Sequence, residues 1–515
     1  MLVNNHEIKV QPDLATLQTI IENDTQGSNV FPVYSFLPAL NLNLTPHQAY
    51  LKLSKGANKQ SFLLESAKSY NELDRYSFIG INPTKIITNN NSQDPLTILK
   101  DYLKDFKLSS DIPSLPPLSG GAIGYVSYDC IKYFEPKVNS NGQYDKMKDT
   151  LQLPESLFMI SNTIVAFDHV FQRFQIIHNI CTSSTTTDLK GQFDEAQSII
   201  KNIISILITK DEIDSNNYPF QKKIKLNQTF TSNVGQEGYE NFVSSLKQNI
   251  KKGDIIQAVP SQRISRPTSL HPFNIYKHLR MVNPSPYLFY IDCLDFQIIG
   301  ASPELLCKSD SKNKLITHPI AGTVKRGSTL KEDDELADQL RSSLKDKAEH
   351  IMLVDLARND INRVCNPRTT SVDKLLTIQK FSHVQHLVSE VSGTLRHDKD
   401  RFDAFRSIFP AGTVSGAPKI KAMQLISGLE NEKRGVYAGA VGHWSYDGKS
   451  MDTCIALRTM VYKDDTVYLQ AGGGIVFDSD ENDEYIETMN KMMANNKTIL
   501  DAEEFWAKKV GTTTD

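Results

Sequence analysis

Two short acidic pairs carry the chemistry most readily read from the 515-residue chain. In KDKAEHIMLVDLARNDINR, residues 345–363, Asp346 and Glu349 stand at i and i+3, so a helix through this run projects both carboxylates from one face. Leu344, Ala348, Ile351, Met352 and Leu356 recur at helical spacing and are expected to form its buried side. DENDEYIETMNKM repeats the arrangement with Glu484 and Glu487, and Tyr485, Met489 and Met492 mark the expected buried stripe. If the two faces meet, four carboxylates share one pocket and repel unless a proton or a cation neutralises them. All-oxygen ligands that keep several waters suit magnesium. Either pair alone is also what a solvated helix face looks like, and the acids of 478–487 would suit a helix N-terminus through the macrodipole.

Around these helices the pattern predicts clustered strands and helices. Residues 1–30 carry helical periodicity at Leu14, Leu17, Ile20 and Ile21, and the prolines of FPVYSFLPAL are expected to bound short extended pieces. Ser61–Glu65, RYSFIG and the glycine-rich SGGAIGYVS read as strands, and 160–180 as a hairpin broken near Asp168 and His169. TSSTTT is a loop, and the polar, proline-interrupted stretch 210–233 is expected to link an N-terminal region, 1–225, to a second region, 235–510. There a helix at 237–252, a strand at 254–264 and a helix at 273–281 lead to strand pairs, the acidic helix, further strands and the terminal acidic helix. Clusters without strict βαβ alternation favour α+β with antiparallel sheets.

Composition limits the rest. Hydrophobic residues at 39% and charged residues at 23% are those of an ordinary globular protein. A formal net charge of -3 without a long Lys/Arg block speaks against a general nucleic-acid binder. No apolar run reaches membrane-helix length, and MLVNNHEIKVQPDL has neither the basic start and apolar core of a secretory signal nor the pattern of a transit peptide, so a cytoplasmic protein is expected. The six cysteines form no CxxC pair, which makes free thiols the default.

From 235 to 497 the chain carries, in order, IIQAVPSQR, NPSPYLFY, IIGASPELL, HPIAGT, AEHIMLVDLARND, HLVSEVSGTL, FPAGTVSGAPK, DTCIALRT, QAGGGIV and EYIETMNK. This series resembles the chorismate-utilising enzymes. Members that add water to the ring carry a basic lysine where this chain has Gln257. Those that form aminodeoxychorismate commonly carry a nucleophilic lysine where it has Ala321. Gln257 with Ala321, and the NPSPYLFY wording, resemble the anthranilate-forming branch. The fold implied is a layered α/β/β/α arrangement of packed, mainly antiparallel sheets built from two intertwined regions.

The resemblance also assigns roles. Glu349 and Glu487 match direct magnesium ligands, while Asp346 and Glu484 match positions that reach Mg2+ through water; Asp346 departs from the usual glutamate by one methylene. Arg458 and Tyr437, with the backbone of Gly472, Gly473 and Gly474, match the holders of the enolpyruvyl carboxylate, and Gly322 and Thr323 further substrate contacts. Glu304 matches the acid for the departing 4-hydroxyl and His386 the base for the elimination; His383 is the less favoured base. The implied reaction turns chorismate and ammonia into anthranilate and pyruvate, a lyase step of tryptophan biosynthesis. LLES and RYSFIG resemble a tryptophan feedback site, with Glu65, Ser66 and Arg75 completed by Pro286, Tyr287, Leu288 and Cys454. His443 departs from a common tyrosine near it. No cysteine sits in a GxCxGxQ glutaminase signature, so a separate glutamine amidotransferase subunit is implied as partner in a hetero-oligomer. Two alternatives stay open: formation of aminodeoxychorismate only, and a non-catalytic regulatory paralogue, which the acidic pairs, Glu304 and His386 speak against.

Overall fold

A computed structural model of the chain describes residues 8–39, 42–57, 59–66, 75–90, 93–182, 188–209, 219–380 and 384–513. His383, most of TSSTTT and the first part of the expected linker lie outside them. Two large antiparallel sheets pack face to face. The first runs, edge to edge, through Val30–Pro38, Arg173–Cys181, Thr163–Asp168, Tyr76–Ile81, Ser61–Glu65, Tyr287–Asp292, Gln297–Ser302, Thr459–Lys463, Thr466–Gly472, Ser261–Pro267 and Thr231–Ser232. The second runs through Ile320–Lys325, Val384–Thr394, Lys314–Thr317, Leu305–Ser309, Met451–Ile455, Ala440–Ser445, Gly121–Val126, Ser156–Ser161 and Lys85–Asn89, and Ser371–Lys380 also pairs with Val384–Thr394. Strands from both ends of the chain meet in each sheet, so the two regions are intertwined as the α+β reading implied.

Three hydrophobic clusters among the described residues fill the layers, and a fourth joins helices Gly235–Lys251 and Lys419–Glu430. Phe62, Phe78, Phe289 and Ile298 of the first sheet interdigitate with Ile123, Tyr125, Met159 and Val441 of the second. Helices Pro46–Leu53, Leu189–Ile208, Pro272–Val282 and Glu481–Val510 cover the outer face of the first sheet, and Pro95–Leu103, Leu344–Asn362 and Arg401–Ile408 that of the second. The layers are therefore α/β/β/α.

Local differences from expectation have physical causes. Val30–Pro38 is one strand with Pro32 inside it rather than short pieces; it is an edge strand, where a missing N–H disturbs no second neighbour. Pro260 divides the expected 254–264 strand into Gln257–Ala258 and Ser261–Pro267. The hairpin Thr163–Asp168 with Arg173–Cys181 forms, but Ser156–Ser161 pairs in the other sheet, so the chain changes sheets at Asn162. Leu330–Ser342 is a helix hidden in the sequence by its charge: among its residues only Asp333, Ala337 and Leu340 are buried. No helix among the described residues is long and apolar enough to cross a membrane.

The terminal helix Glu481–Val510 is clamped by a buried ion pair. Arg266 donates to both oxygens of Glu503 at 2.8 and 2.7 Å, and Thr268 Oγ1 adds a third donor at 2.7 Å. Each charged side chain is 1% exposed. Removing one partner strands a buried charge, at a cost of about 3–5 kcal/mol. Glu503→Gln is therefore expected to lower the urea midpoint, and Arg266→Met with Glu503→Leu to recover most of it; equal midpoints for wild type and Glu503→Gln in equilibrium unfolding would show that the clamp holds nothing.

Candidate active site

The first acidic pair stands at the start of helix Leu344–Asn362. Ser343 Oγ caps it by accepting from Asp346 N–H at 3.2 Å. The helix is seated by Leu353, Val354, Ala357 and Ile361, and by His350, whose Nε2 meets Ser389 Oγ at 2.7 Å. Leu344, Ala348 and Ile351 are instead exposed, so the buried face is rotated from the expected stripe. Two partnered polar residues, His350 and Asp360, occupy that face, which hydropathy alone assigns to solvent. The rotation leaves Asp346 and Glu349 half-buried at its border. Glu349 Oε1 accepts from Gln257 Nε2 at 2.8 Å.

The second pair lies in the first turns of Glu481–Val510, capped by Asp480. Glu484 is itself on the buried face with Thr488 and Met492, whereas Tyr485 and Met489 are half-buried. Its Oε1 accepts from Ser479 Oγ at 2.7 Å, and its buried Oε2 has no hydrogen-bond partner among the described residues. Burial raises its pKa; the Ser479 hydroxyl opposes this and the charge of Glu487 adds to it. Glu487 is exposed and pairs with Lys491 at 2.7 Å, and Lys491 donates onward to Gly472 O at 2.9 Å.

Between the two helices passes the glycine run that ends strand Thr466–Gly472. A Cβ on Gly473 would stand 2.7 Å from Glu484 Oε2, and one on Gly474 would stand 2.4 Å from Gln257 Nε2 and 3.3 Å from Glu349 Oε1. At Gly472 it would lie 3.2 Å from Tyr437 Oη. Only bare backbone fits against all four groups. The Gly473 N–H is already given to Tyr239 Oη at 3.1 Å. Gly322, with φ of +74°, makes a similar close approach: a Cβ there would be 3.1 Å from Asp346 Oδ1. Among the described residues no three His, Cys, Asp or Glu side chains converge tightly enough to form a ready cluster for a metal. The donors nevertheless fit a hard divalent cation, since they are all carboxylates and the buried Glu484 Oε2 is an acceptor in want of a positive partner.

Glu304 and Arg458 arrive at the site by the same device. The chain leaves the first sheet after Ser302 and enters the second at Leu305; it leaves the second after Ile455 and re-enters the first at Thr459. Each residue occupies a crossover, and the two crossovers are stitched by Ile455 N–H to Glu304 O at 3.1 Å, Ala301 N–H to Arg458 O at 3.3 Å and Ser302 Oγ to Ile455 O at 2.6 Å. Glu304 is buried, and burial pushes its pKa up to about 8; the Thr413 hydroxyl, the Ile320 N–H and the Arg458 charge pull the other way. Thr413 Oγ1 donates to its Oε1 at 3.1 Å.

His386 and Thr323 are cross-strand neighbours, with Nδ1 2.9 Å from Thr323 Oγ1 and 3.2 Å from Gly322 O. A carbonyl can only accept, which assigns the proton to Nδ1 and the lone pair to Nε2. Burial, reinforced by the Arg458 charge, lowers the His386 pKa to about 4, so the ring is neutral at physiological pH. Burial pushes Tyr437 up to about 12. Arg434, fully buried, ties the neighbourhood together: it donates to Glu430 at 2.7 and 2.9 Å, to Val259 O at 2.7 Å and to Val414 O at 2.9 Å. Sequence reading gave no role to Thr413, to the Gln257–Glu349 bond or to Arg434, whose i, i+4 spacing from Glu430 was the one available signal.

A second constellation lies at the edge of the inter-sheet core. Leu288 pairs with Glu65 across two strands, Ser66 Oγ donates to Pro286 O at 2.7 Å, and Tyr287 Oη meets Asp452 at 3.0 Å. The Glu65 carboxylate is held by Tyr276 Oη at 2.6 Å and by Arg280 at 3.1 Å, partners in helix Pro272–Val282 that sequence reading did not supply. Arg75 forms a two-pronged bond to Asp168 at 3.1 and 2.7 Å. Cys454 is buried beside Val441 and Leu305. His443 pairs with Asp452 in the same sheet and faces Phe78 of the other, ring centroids 6.2 Å apart.

Known proteins resemble the chain in sequence and in fold. The family model described as chorismate binding enzyme matches residues 59–497. Anthranilate synthase component 1 of Saccharomyces cerevisiae is 68% identical over 513 residues, covering 98% of this chain and 99% of that protein. The probable anthranilate synthase component 1 of Schizosaccharomyces pombe is 56% identical over 502 residues, covering 98% and 99%. The crystal structure of anthranilate synthase component I from Streptococcus pneumoniae superposes with a TM-score of 0.72 at 34% identity, covering 89% of this chain and 98% of that one. The menaquinone-specific isochorismate synthase of Escherichia coli, at 17% identity and a TM-score of 0.67, shares the fold. The ordered motifs, the layered sheets and these relatives converge: the chain belongs to the chorismate-binding enzyme family, among the members that carry the name anthranilate synthase component 1.

Proposed function

We propose that this chain converts chorismate and ammonia into anthranilate and pyruvate, with ammonia delivered by a separate glutamine amidotransferase subunit. The observation that carries the reading is the opposite perturbation of two groups that both feel the Arg458 charge: Glu304 is held protonated and His386 neutral at the same pH. Such a split provides an acid and a base together. Glu304 donates its proton to the 4-hydroxyl, which leaves as water while ammonia attacks C2. His386 then takes the C2 proton on Nε2 as pyruvate is eliminated and the ring becomes aromatic. Arg458 and Tyr437 hold the enolpyruvyl carboxylate, and Thr323 orients both His386 and the leaving hydroxyl.

Glu349 and Glu487, with Asp346 and Glu484 at one remove, are the residues that would hold magnesium, which supplies charge neutralisation for the ring carboxylate when bound. The separate subunit is supported by the thiols. All six cysteines are unpaired, and burial raises the pKa of each, so none is an activated nucleophile for glutamine hydrolysis. Unpaired thiols also suit a reducing, cytoplasmic compartment. Ser66, Pro286, Tyr287 and Leu288, gathered beside Glu65, support a tryptophan feedback site.

Three measurements test this. With free ammonia held constant, the rate of fluorescent product formation is expected to fall as pH rises through about 8, where Glu304 loses its proton, and Glu304→Gln is expected to lose at least a hundredfold in kcat; chorismate consumed without fluorescence would instead indicate aminodeoxychorismate. Glu487→Gln should stay folded and need far more magnesium for half-maximal activity, and an unchanged magnesium titration removes it from the metal site. Ser66→Ala should keep its turnover and require roughly tenfold more tryptophan for half inhibition, about 1.4 kcal/mol of binding; identical inhibition curves would dismiss the feedback reading.

A further inference from the structure

Against Glu304 lies a small cavity of about 20 Å³, which neither Arg458 nor His386 lines. Its polar wall is Glu304, Thr413, Thr317 and Asp360, and the remainder is apolar, including Leu305, Leu353, Ala357 and Ile408. That volume accommodates one water molecule, and the polar side chains supply the two to four partners a buried water needs. Thr317 Oγ1 donates to Leu306 O at 2.7 Å and Thr413 Oγ1 to Glu304 Oε1 at 3.1 Å, so both hydroxyls meet the water as acceptors, beside the carboxyl groups of Glu304 and Asp360. Asp360 Oδ2 accepts from Lys419 Nζ at 2.6 Å, and Lys419 also donates to Ile408 O at 3.1 Å. The Lys419 side chain is 14% exposed, and Asp360 as a residue is 8% exposed against 4% for Glu304. Lys419 is thus the member of this chain that lies nearest solvent.

We propose that Lys419, Asp360 and one cavity water return a proton to Glu304 after each turnover. The inference rests on the reading of Glu304 as the acid. Once Glu304 has given its proton to the 4-hydroxyl, which leaves as water with the C–O electron pair, a carboxylate remains in a buried site. Lys419 passes an ammonium proton to the Asp360 carboxylate, the carboxyl so formed passes it to the cavity water as that water gives one of its own to Glu304, and Lys419 regains a proton from solvent. One proton enters for each that departs with the hydroxyl. The charged groups near this path are Arg458, beside Glu304, and Arg363, beside Asp360; His386, which also faces Arg458, is neutral. Burial raises the Asp360 pKa against the pull of Lys419. Asp360 and Lys419 touch no substrate and are positioning residues in this scheme.

The test separates the first turnover from later ones, because the first uses a proton already on Glu304. Two variants are used on the full chain with chorismate, ammonium and magnesium: Asp360→Asn with Lys419→Met, which removes both charges, and Asp360→Glu, which keeps the ion pair and pushes a methylene into the cavity. In both, the single-turnover rate should match wild type, steady-state kcat should fall about tenfold with KM for chorismate falling in proportion so that kcat/KM is unchanged, and imidazole as an added proton donor should restore kcat. A general disturbance of packing would slow the first turnover too, and that result, or wild-type kcat in the folded Asp360→Glu variant, overturns the relay. If Glu304→Gln is itself fully active in both phases, the acid reading fails and the relay with it; if Glu304→Gln is inactive while both Asp360 variants behave as wild type, only the relay fails.

Discussion

The structure depends on two places where the chain passes from one sheet to the other. Crossovers at Glu304 and Arg458 sit side by side, stitched by backbone hydrogen bonds, in a seam that neither sheet alone could create. A carboxyl group set in such a seam has protein on almost every side, which is why it holds its proton so strongly. The guanidinium from the adjacent crossover moderates that effect and at the same time discourages protonation of His386. One packing decision therefore sets three ionisation states, and a substitution that merely loosened the seam would shift all of them together.

The second constraint is steric. Gly473 and Gly474 lie so close to Glu484, Gln257 and Glu349 that any side chain would displace them. The two acidic helices belong to opposite outer layers, one over each sheet. This short backbone run, bare of side chains, touches an acidic side chain from each of them. Glycine here is a spacer of minimum thickness between layers.

Much of the site was legible in the sequence because its residues sit in short motifs whose spacing is local. The acidic pairs, Glu304, His386 and Arg458 needed only the motif that surrounds each. The rest was hidden wherever a partner came from a distant element or a buried face was polar. The helix of Asp346 was misoriented because His350 and Asp360 are buried, and hydropathy counts them as exposed. Leu330–Ser342 was missed because so few of its residues are buried. Arg280 and Tyr276 are paired with Glu65 across more than two hundred residues, and Arg434 beneath the site reaches the carbonyls of Val259 and Val414 besides its near neighbour Glu430; no periodicity records the distant bonds. Pro32 was read as a boundary because the edge position that tolerates it belongs to the sheet order.

The sheet order also has a consequence during synthesis. Strand Ser61–Glu65 lies between Tyr76–Ile81 and Tyr287–Asp292. On a ribosome adding about 5–20 residues per second, its second neighbour emerges roughly ten to forty seconds after it does. Throughout that interval the nascent first sheet presents an open, apolar edge of the kind that recruits other chains. The same strand ends at Glu65 and Ser66, so the residues proposed to sense the pathway's product take their places only when most of the polypeptide has been made.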